Sequence, residues 1–330
     1  MTTRLPLAVT MGDPAGCGPS ITDKTWTTLK DTCRPFYAIS NPSLHAVPTA
    51  LIDRPSAAKQ VFANALPILP VSASLPVIQS GTPNPDAAAA IVASIEQAVS
   101  HTLSKQAAAV VTNPISKALL YSSGFQHPGH TEFLADLCRP SPDTPPLKPI
   151  MMLVGGGLRV ALATIHVPLA HIPGLLTEDL LIETARIVHR DLIDKFGIEQ
   201  PRIAFTGLNP HAGEAGTIGR EEVEIINPAA ETLRAEAITI SDARPGDTVF
   251  HEMREGQFDA IIAMTHDQGL IPVKTLDMWG GVNTTLGLPI VRTSPDHGTA
   301  YDAAANGSAR ADSLIAAIEL ASQMAESAGQ

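Results

Sequence analysis

Strand-like and helix-like segments alternate along this chain of 330 residues, and this alternation constrains the fold more than any other feature. Short apolar runs of the length of buried strands are separated by longer segments with apolar residues at helical spacing. Such alternation is typical of an α/β fold. The predicted strands are 5–10, 107–112, 202–206 and 259–264, and the predicted helices are 86–104, 177–196 with Thr177 as its N-cap, and 312–326 with Asp312 as its cap.

Two further segments refine this prediction. Residues 150–154 and 158–165 flank Gly155-Gly156-Gly157, which is a hairpin signal and indicates a mixed sheet. The segment 136–149 carries five prolines, which are excluded from helix interiors and central strands. We therefore expect a linker or a surface loop there.

Composition and charge argue against several classes of protein. A formal net charge of −11 without a run of Lys and Arg disfavours binding to nucleic acid or to an anionic membrane. The three cysteines form no CxxC pair and indicate reduced thiols, and Cys17 in its glycine loop is interpreted as a small packing residue. We find no signal peptide and no apolar stretch of about 18 residues. These observations predict a cytoplasmic protein.

Three histidines follow three predicted strands. His166 ends the strand 159–165, His211 follows 203–206 after a short Gly-Leu-Asn-Pro link, and His266 follows 261–265. In open α/β sheets ligands collect beyond the carboxyl ends of strands, and three imidazoles there could leave an open position on a metal ion. The spacing alone leaves two interpretations open, a metal site or three unrelated loop histidines.

A second group of polar residues lies downstream. Lys274, Asn283 and Arg292 fall within twenty positions and could hold a carboxylate or a phosphate, although two surface ion pairs and a turn asparagine would give the same pattern. Lys117 is a weaker candidate base, better interpreted as an exposed lysine at a helix start. Because no G-x-G-x-x-G motif is present, a Rossmann domain is not expected.

Taken together, the motifs of the chain resemble those of the 4-hydroxythreonine-4-phosphate dehydrogenase family of vitamin B6 synthesis. The resemblance runs from the first strand to the last helix. The blocks that carry it are Gly12-Asp13-Pro14-Ala15-Gly16 with Gly18-Pro19, Gly129-His130-Thr131-Glu132-Phe133, 158–162 leading to His166, 207–214, His266-Asp267-Gln268, 281–283 with 285–289, and 292–300.

The resemblance implies an isocitrate/isopropylmalate dehydrogenase-like fold with two α/β/α domains around a central cleft. The first domain is expected at 1–130 plus 303–330 and so contains both termini. The second is expected at 131–302, with the metal ligands and the dimer contact.

The resemblance also implies roles for individual residues. It implies a divalent metal (Zn, Co or Mg) and NAD or NADP as cofactors. The implied residues are His166, His211 and His266 for the metal; His130, Thr131, Lys274, Asn283 and Arg292 for the substrate; Lys274 and Asp247 for catalysis; and His297, Gly298, Thr299 and Asp302 for the nucleotide.

A small phosphorylated hydroxy amino acid is the implied substrate. It would be oxidised to a 2-amino-3-oxo acid, which loses carbon dioxide to give 3-amino-2-oxopropyl phosphate. The implied assembly is a homodimer with shared active sites, in which His266 and Lys274 come from the opposite subunit to His166 and His211. Met278 and Trp279 are candidates for the subunit contact, or they cap a local core.

Four positions depart from the pattern of the family: Ser20, Thr265, Gly280 and Ala305. Because of them, dehydrogenases of threonate or erythronate 4-phosphate and of carboxylated ring dihydrodiols stay open as alternatives. A phosphate acyltransferase of the same fold and a non-catalytic metal or metabolite binder are the alternatives from other classes.

Overall fold

The computed structural model describes residues 4–127, 129–141 and 143–330, and its contacts divide the chain into two compact units. Unit 1 comprises Met1–Pro149 and Leu288–Gln330, and unit 2 comprises Ile150–Gly287. These limits differ from the predicted domain boundaries at 130/131 and 302/303. The reason is burial, since Phe133, Leu134, Leu288 and Ile290 all lie in the hydrophobic core of unit 1.

Strands and helices alternate through both units. The strands are β1 (Leu7–Thr10), β2 (Phe36–Ser40), β3 (Thr49–Leu51), β4 (Leu66–Pro70), β5 (Val110–Val111), β6 (Ile150–Gly155), β7 (Leu158–Leu162), β8 (Arg202–Thr206), β9 (Thr239–Arg244), β10 (Ala260–Ala263), β11 (Val282–Leu286) and β12 (Arg292–Pro295). The helices are α1 (Gly18–Leu29), α2 (Ala58–Val61), α3 (Ala88–Leu103), α4 (Lys117–Ser122), α5 (His130–Leu137), α6 (Ile172–Leu175), α7 (Glu178–Asp194), α8 (Asn227–Ala235), α9 (Val249–Arg254), α10 (His266–Leu276), α11 (Tyr301–Ala305) and α12 (Asp312–Ser327).

Unit 1 is built on a parallel sheet with the strand order β3-β4-β2-β1-β5-β12. Every residue of β1 and β5 is buried, as expected for strands that helices cover on both faces. The helix α3 packs on β1, β2 and β5, and α12 packs on β1, β5 and β12. The alternation of strands and helices in the sequence therefore predicted this layer arrangement correctly.

Unit 2 contains a mixed sheet with the strand order β11-β6-β7-β10-β8-β9. The pairs β11/β6 and β6/β7 are antiparallel, and the pairs β7/β10, β10/β8 and β8/β9 are parallel. Gly156 (φ +58°) and Gly157 (φ +81°) form the two-residue turn between β6 and β7. Positive φ at both central positions is the geometry of a type I′ hairpin turn, and glycine adopts it without steric cost. The predicted hairpin and the mixed sheet are confirmed.

The long amphipathic helix is also confirmed. Helix α7 buries Leu181, Ala185, Val188 and Leu192, which recur every three or four residues and so form one apolar face. Thr177 is the N-cap, and its hydroxyl accepts a hydrogen bond from the backbone N–H of Leu180 at 3.1 Å.

Three details of the prediction were wrong. Asp312 does not cap α12; it is the first helical residue after Ala311, and its carboxylate pairs with Arg310 at 3.1 Å. The segment 136–149 was expected to be free of helix, but α5 continues to Leu137 because Phe133 and Leu134 bury its apolar face. The described residues 138–141 and 143–149 contain no helix or strand, and Pro142 lies outside the described residues. The strand expected at 107–112 is assigned only over β5, although the N–H groups of Ala108 and Thr112 also donate to the carbonyls of Pro6 and Thr293.

Replacing the cap of α7 gives a first testable prediction. Thr177→Ala removes the acceptor for one otherwise unpaired N–H, so we expect the free energy of unfolding of unit 2 to fall by about 1 kcal/mol. Urea denaturation followed by far-UV circular dichroism measures this change. Thr177→Ser keeps a hydroxyl acceptor and serves as the control. Equal stability of Thr177→Ala and wild type would show that the cap contributes nothing.

Candidate active site

The carboxyl ends of β7, β10 and β8 lie at one edge of the sheet in unit 2, because these strands are parallel neighbours. The side chain of Gln268 connects two of these ends. Its Oε1 accepts hydrogen bonds from the hydroxyl of Thr206 (2.7 Å) and the N–H of Met264 (3.0 Å), and its Nε2 donates to the carbonyl of Gly207 (2.8 Å). The chain segments that leave β8 and β10 are therefore fixed to each other.

The segment after β7 is fixed to the same edge. The buried hydroxyl of Thr164 donates a 2.6 Å hydrogen bond to the carbonyl of Met264, and the N–H of Ala163 donates to the carbonyl of Ala263 at 2.9 Å. His166 follows two residues later. This arrangement holds the segments that carry His166 and His266 side by side.

His166 and His266 come together in the structure. Their ring centroids are 5.5 Å apart with an interplanar angle of 44°. Two imidazoles bound to one tetrahedral ion through bonds of about 2 Å would place their ring centres about 5 Å apart, so this pair fits a common ion. His266 is the first residue of α10, and its Nδ1 lies 2.8 Å from Oδ1 of Asp267. A carboxylate there would orient the ring.

His211 begins an unusual backbone segment. His211, Ala212, Glu214 and Ala215 have φ between +42° and +53°, with Gly213 at +75° between them. The left-handed conformation costs roughly 1–2 kcal/mol for each residue with a Cβ, so the surrounding contacts must hold this turn. His211 itself is exposed.

The carboxylate of Glu222 supplies such contacts. It is 1% exposed, and its Oε1 accepts from the N–H groups of Leu208 (2.8 Å) and Asn209 (2.7 Å). Its Oε2 accepts from Nδ2 of Asn209 at 3.0 Å. A Cβ at Gly213 would lie 2.5 Å from the same Oε2, so only glycine fits there. Glu222 therefore positions the segment that leads to His211.

The three predicted metal ligands do not form a complete site within one chain. His166 and His266 are adjacent, but the described residues contain no group of three His, Cys, Asp or Glu side chains arranged to hold a metal ion. The assignment of His166, His211 and His266 to a metal ion stays a prediction.

A cavity of about 460 Å³ lies beside the candidate catalytic residue Asp247 in unit 2. Asp247 and Gln268 contribute polar groups to its wall, and Ile271 and Leu276 contribute apolar ones. Asp247 is exposed and precedes α9. A carboxylate at the wall of a cavity is accessible to a ligand, as a catalytic role would require.

In unit 1, the guanidinium of Arg292 is buried at the start of β12. Its Nε and Nη2 donate to the hydroxyl of Thr112 at 3.1 Å and 2.6 Å, and burial lowers its pKa to about 10. At neutral pH Arg292 therefore remains a cation that is already removed from water.

His130 lies in the field of this cation. Burial, together with the charges of Arg292 and Lys117, lowers the pKa of His130 well below its usual value. Its Nε2 is buried and has no hydrogen-bond partner among the described residues. Unit 1 thus combines a buried cation with a neutral imidazole available for a hydrogen bond, and this combination suits a small anion. Thr131 is the next residue of α5 and is half-buried.

The remaining predicted residues fall on both units. Lys274 lies on α10 and Asn283 on β11, both half-buried in unit 2. In unit 1, the segment 297–302 follows β12 and leaves His297, Gly298 and Asp302 exposed. Cys17 is 1% exposed, and burial raises the pKa of its thiol to about 11, which confirms its interpretation as a packing residue.

Sequence reasoning gave no role to Gln268 and did not notice Glu222 or Thr164. Gln268 belongs to the His-Asp-Gln block. Its position about one helical turn after the end of β10 is the signal that could have identified it. Glu222 had no signal, because its partners lie 13 and 14 residues away along an irregular segment.

Alternating strands and helices in two compact units define a protein of the α/β class, as the sequence predicted. Residues 31–321 match the model of the family described as pyridoxal phosphate biosynthetic protein PdxA. The chain belongs to this family.

Individual relatives agree with this assignment. A 4-hydroxythreonine-4-phosphate dehydrogenase of Caulobacter vibrioides is 48% identical, and the match covers 100% of both chains. The crystal structure of the Klebsiella pneumoniae 4-hydroxythreonine-4-phosphate dehydrogenase superposes with a TM-score of 0.86 at 34% identity, covering 98% of this chain and 100% of that one. A terephthalate 1,2-cis-dihydrodiol dehydrogenase of Burkholderia xenovorans gives 0.67 at 26% identity, covering 97% and 98%.

The depressed pKa of His130 makes a prediction about pH. The unfolded chain binds a proton at this residue near pH 6.5, whereas the folded protein resists it, so protonation favours unfolding. The stability from a neutral His130 is present above that pH and is lost as the pH falls below it. We expect His130→Asn to lose less unfolding free energy than wild type between pH 7 and pH 5.

Urea denaturation at several pH values measures this difference. His171→Asn, which alters an exposed histidine of unit 2, controls for the loss of a histidine as such. If wild type and His130→Asn decline in parallel, His130 does not resist protonation in the folded protein.

Proposed function

We propose that this protein is a 4-hydroxythreonine-4-phosphate dehydrogenase of vitamin B6 synthesis, dependent on NAD or NADP and on a divalent metal ion. The observation that carries the proposal is the buried cation of Arg292 beside neutral His130, in a chain that matches dehydrogenases of this name over its full length. An acidic protein needs such a local positive site to hold a phosphorylated acid.

Five residues are the proposed substrate contacts. Arg292, His130 and Thr131 supply one cation and two neutral groups, and Lys274 and Asn283 supply the others. In the reaction, the substrate hydroxyl loses its proton to a base, for which Lys274 and Asp247 are the candidates, and the carbinol carbon transfers a hydride to the nicotinamide. The 2-amino-3-oxo acid that results loses carbon dioxide and gives 3-amino-2-oxopropyl phosphate.

The cofactors are assigned to two places. The segment 297–302 is proposed to hold the dinucleotide through His297, Gly298, Thr299 and Asp302. His166 and His266, with His211 as third ligand, are proposed to hold Zn, Co or Mg, and imidazole ligands favour the first two. When bound, such an ion supplies a Lewis acid that stabilises negative charge on the substrate oxygen.

The proposed assembly is a homodimer with shared active sites. Its support is an apolar surface on α10 and the turn that follows it, consisting of Ile271, Leu276, Met278 and Trp279, which are 63%, 43%, 59% and 54% exposed. Exposed apolar residues grouped in this way mark contact surfaces. The 5.5 Å between the rings of His166 and His266 favours their coming from the same chain, with His211 from the partner, over the division that the resemblance implied.

Location in the cytoplasm completes the proposal. Cys17, Cys33 and Cys138 are present as thiols and not as disulfides, as in a reducing compartment. Among the described residues, no helix is both long enough and apolar enough to cross a membrane.

A substrate panel tests the proposed activity. We expect nicotinamide absorbance at 340 nm to rise with 4-hydroxythreonine 4-phosphate and NAD or NADP, to disappear after exhaustive dialysis against a chelator, and to return with added Zn, Co or Mg. Threonate and erythronate 4-phosphate and a carboxylated ring dihydrodiol test the other dehydrogenases. A protein that transfers acyl groups to phosphate but reduces no nicotinamide would refute the proposal, as would full activity without metal.

Mixing inactive variants tests the shared site. His211→Ala and His266→Ala should each be inactive, and a mixture after subunit exchange should recover about one quarter of wild-type activity, because half of the dimers then contain one intact site. We expect the mixture of His166→Ala and His266→Ala to stay inactive, since these two ligands are assigned to one chain. Recovery in that mixture would restore the division implied by the resemblance. No recovery in either mixture would show that one chain supplies the whole site.

A further inference from the structure

Within unit 1, the segment 297–302 packs on the glycine loop, Gly12–Gly18. The backbone N–H of Cys17 donates to the carbonyl of Thr299 at 2.8 Å. A Cβ at Gly16 would lie only 2.8 Å from that same carbonyl oxygen, so a larger residue would push the two segments apart. The motif Gly-Asp-Pro-Ala-Gly therefore acts as the support of the proposed nucleotide segment.

A side-chain contact joins the same two segments. The hydroxyl of Tyr301 donates to Oδ2 of Asp13 at 2.5 Å, and Oδ1 of Asp13 accepts from the N–H of Ala15 at 3.0 Å. Asp13 is 1% exposed, so this contact lies away from water. Burial and the hydrogen bond to Asp13 raise the pKa of Tyr301, which keeps the hydroxyl protonated as a donor.

The backbone around Tyr301 needs such a restraint. Ala300, the residue before it, has φ +46° and so adopts the left-handed conformation that a residue with a Cβ disfavours. After Tyr301, the chain packs closely on Gly81, where a Cβ would lie only 2.5 Å from Cβ of Ala305. Gly81 is in turn bound to the glycine loop, because its N–H donates to the carbonyl of Ala15 at 2.7 Å. The segment is thus held at Thr299 and Tyr301, and just beyond its end at Ala305, while His297, Gly298 and Asp302 stay exposed.

We propose that Tyr301 is a positioning residue for the dinucleotide, which shapes the segment 297–302 through its hydrogen bond to Asp13. This inference rests on the proposed function, because that function assigns the dinucleotide to this segment. Without the hydrogen bond the segment populates other conformations, and the measured dissociation constant rises in proportion to the fraction of molecules that must be reordered.

The test compares Tyr301→Phe with wild type. We expect the dissociation constant for NAD or NADP, measured by titration calorimetry, to rise on the order of fivefold to tenfold, as for the loss of a typical intramolecular hydrogen bond. The Michaelis constant for 4-hydroxythreonine 4-phosphate should stay within a factor of two of wild type. Tyr121→Phe, which removes the hydroxyl of an exposed tyrosine on α4, is the matched control.

A double-variant cycle shows whether Tyr301 acts through Asp13. In an Asp13→Ala background, Tyr301→Phe should cause little further loss of dinucleotide affinity, because the acceptor is already gone. Losses that simply add would overturn the route through Asp13.

The remaining outcomes also decide the matter. A lower melting temperature with unchanged dinucleotide affinity would assign Tyr301 a purely structural role and overturn the inference. An equal loss for dinucleotide and phosphorylated substrate would overturn it as well. If wild type binds neither NAD nor NADP, the proposed function fails and the inference fails with it, whereas normal wild-type binding with an unaffected Tyr301→Phe variant removes the inference alone.

Discussion

The side-chain amide of Gln268 is the constraint on which the functional edge of unit 2 depends. It satisfies the hydroxyl of Thr206, the N–H of Met264 and the carbonyl of Gly207, which are three polar groups at the ends of β8 and β10. Each bond contributes about 1 kcal/mol net, but a buried polar group left unpaired costs 1–3 kcal/mol, so the network is stable only when complete. The segments that carry the candidate metal ligands leave the sheet at this point, and their spacing follows from it.

The segment at His211 shows the opposite situation, in which local backbone preference is overcome. Four residues with a Cβ in the left-handed conformation oppose folding by several kcal/mol in sum. Glu222 offsets this cost by accepting hydrogen bonds from the backbone N–H groups of Leu208 and Asn209 and from the side-chain amide of Asn209. A histidine presented on such a turn has an orientation that no helix or strand would give. Strain of this kind is retained where a function requires that orientation, and binding to a metal ion would be such a function.

The parts of the fold that could be predicted from the sequence are those that depend on neighbouring residues. The apolar period of α7, its Thr177 cap and the glycine turn after β6 are all written within short windows, and the structure confirms them. The cap of α12 was missed because Asp312 pairs with Arg310 rather than with the helix N–H groups. The limits of the two compact units could not be found locally either, since burial of Leu288 and Ile290 decides them. Tyr301 and Asp13 are 288 positions apart in the sequence, so their contact can be identified only from the folded structure.

The electrostatics of unit 1 bear on how a chain with a net charge of −11 would hold the proposed anionic substrate. The cation of Arg292 was removed from water when the protein folded, and its pKa of about 10 still leaves it charged at neutral pH. Binding of a phosphate or carboxylate therefore does not include the cost of removing the Arg292 guanidinium from water. More of the electrostatic attraction then contributes to the binding free energy. His130, kept neutral by burial and by the charges of Arg292 and Lys117, contributes a hydrogen bond but no second buried charge. A protonated His130 would add a second positive charge near the buried Arg292, so the neutral imidazole lowers the electrostatic cost of this arrangement when no anion is bound.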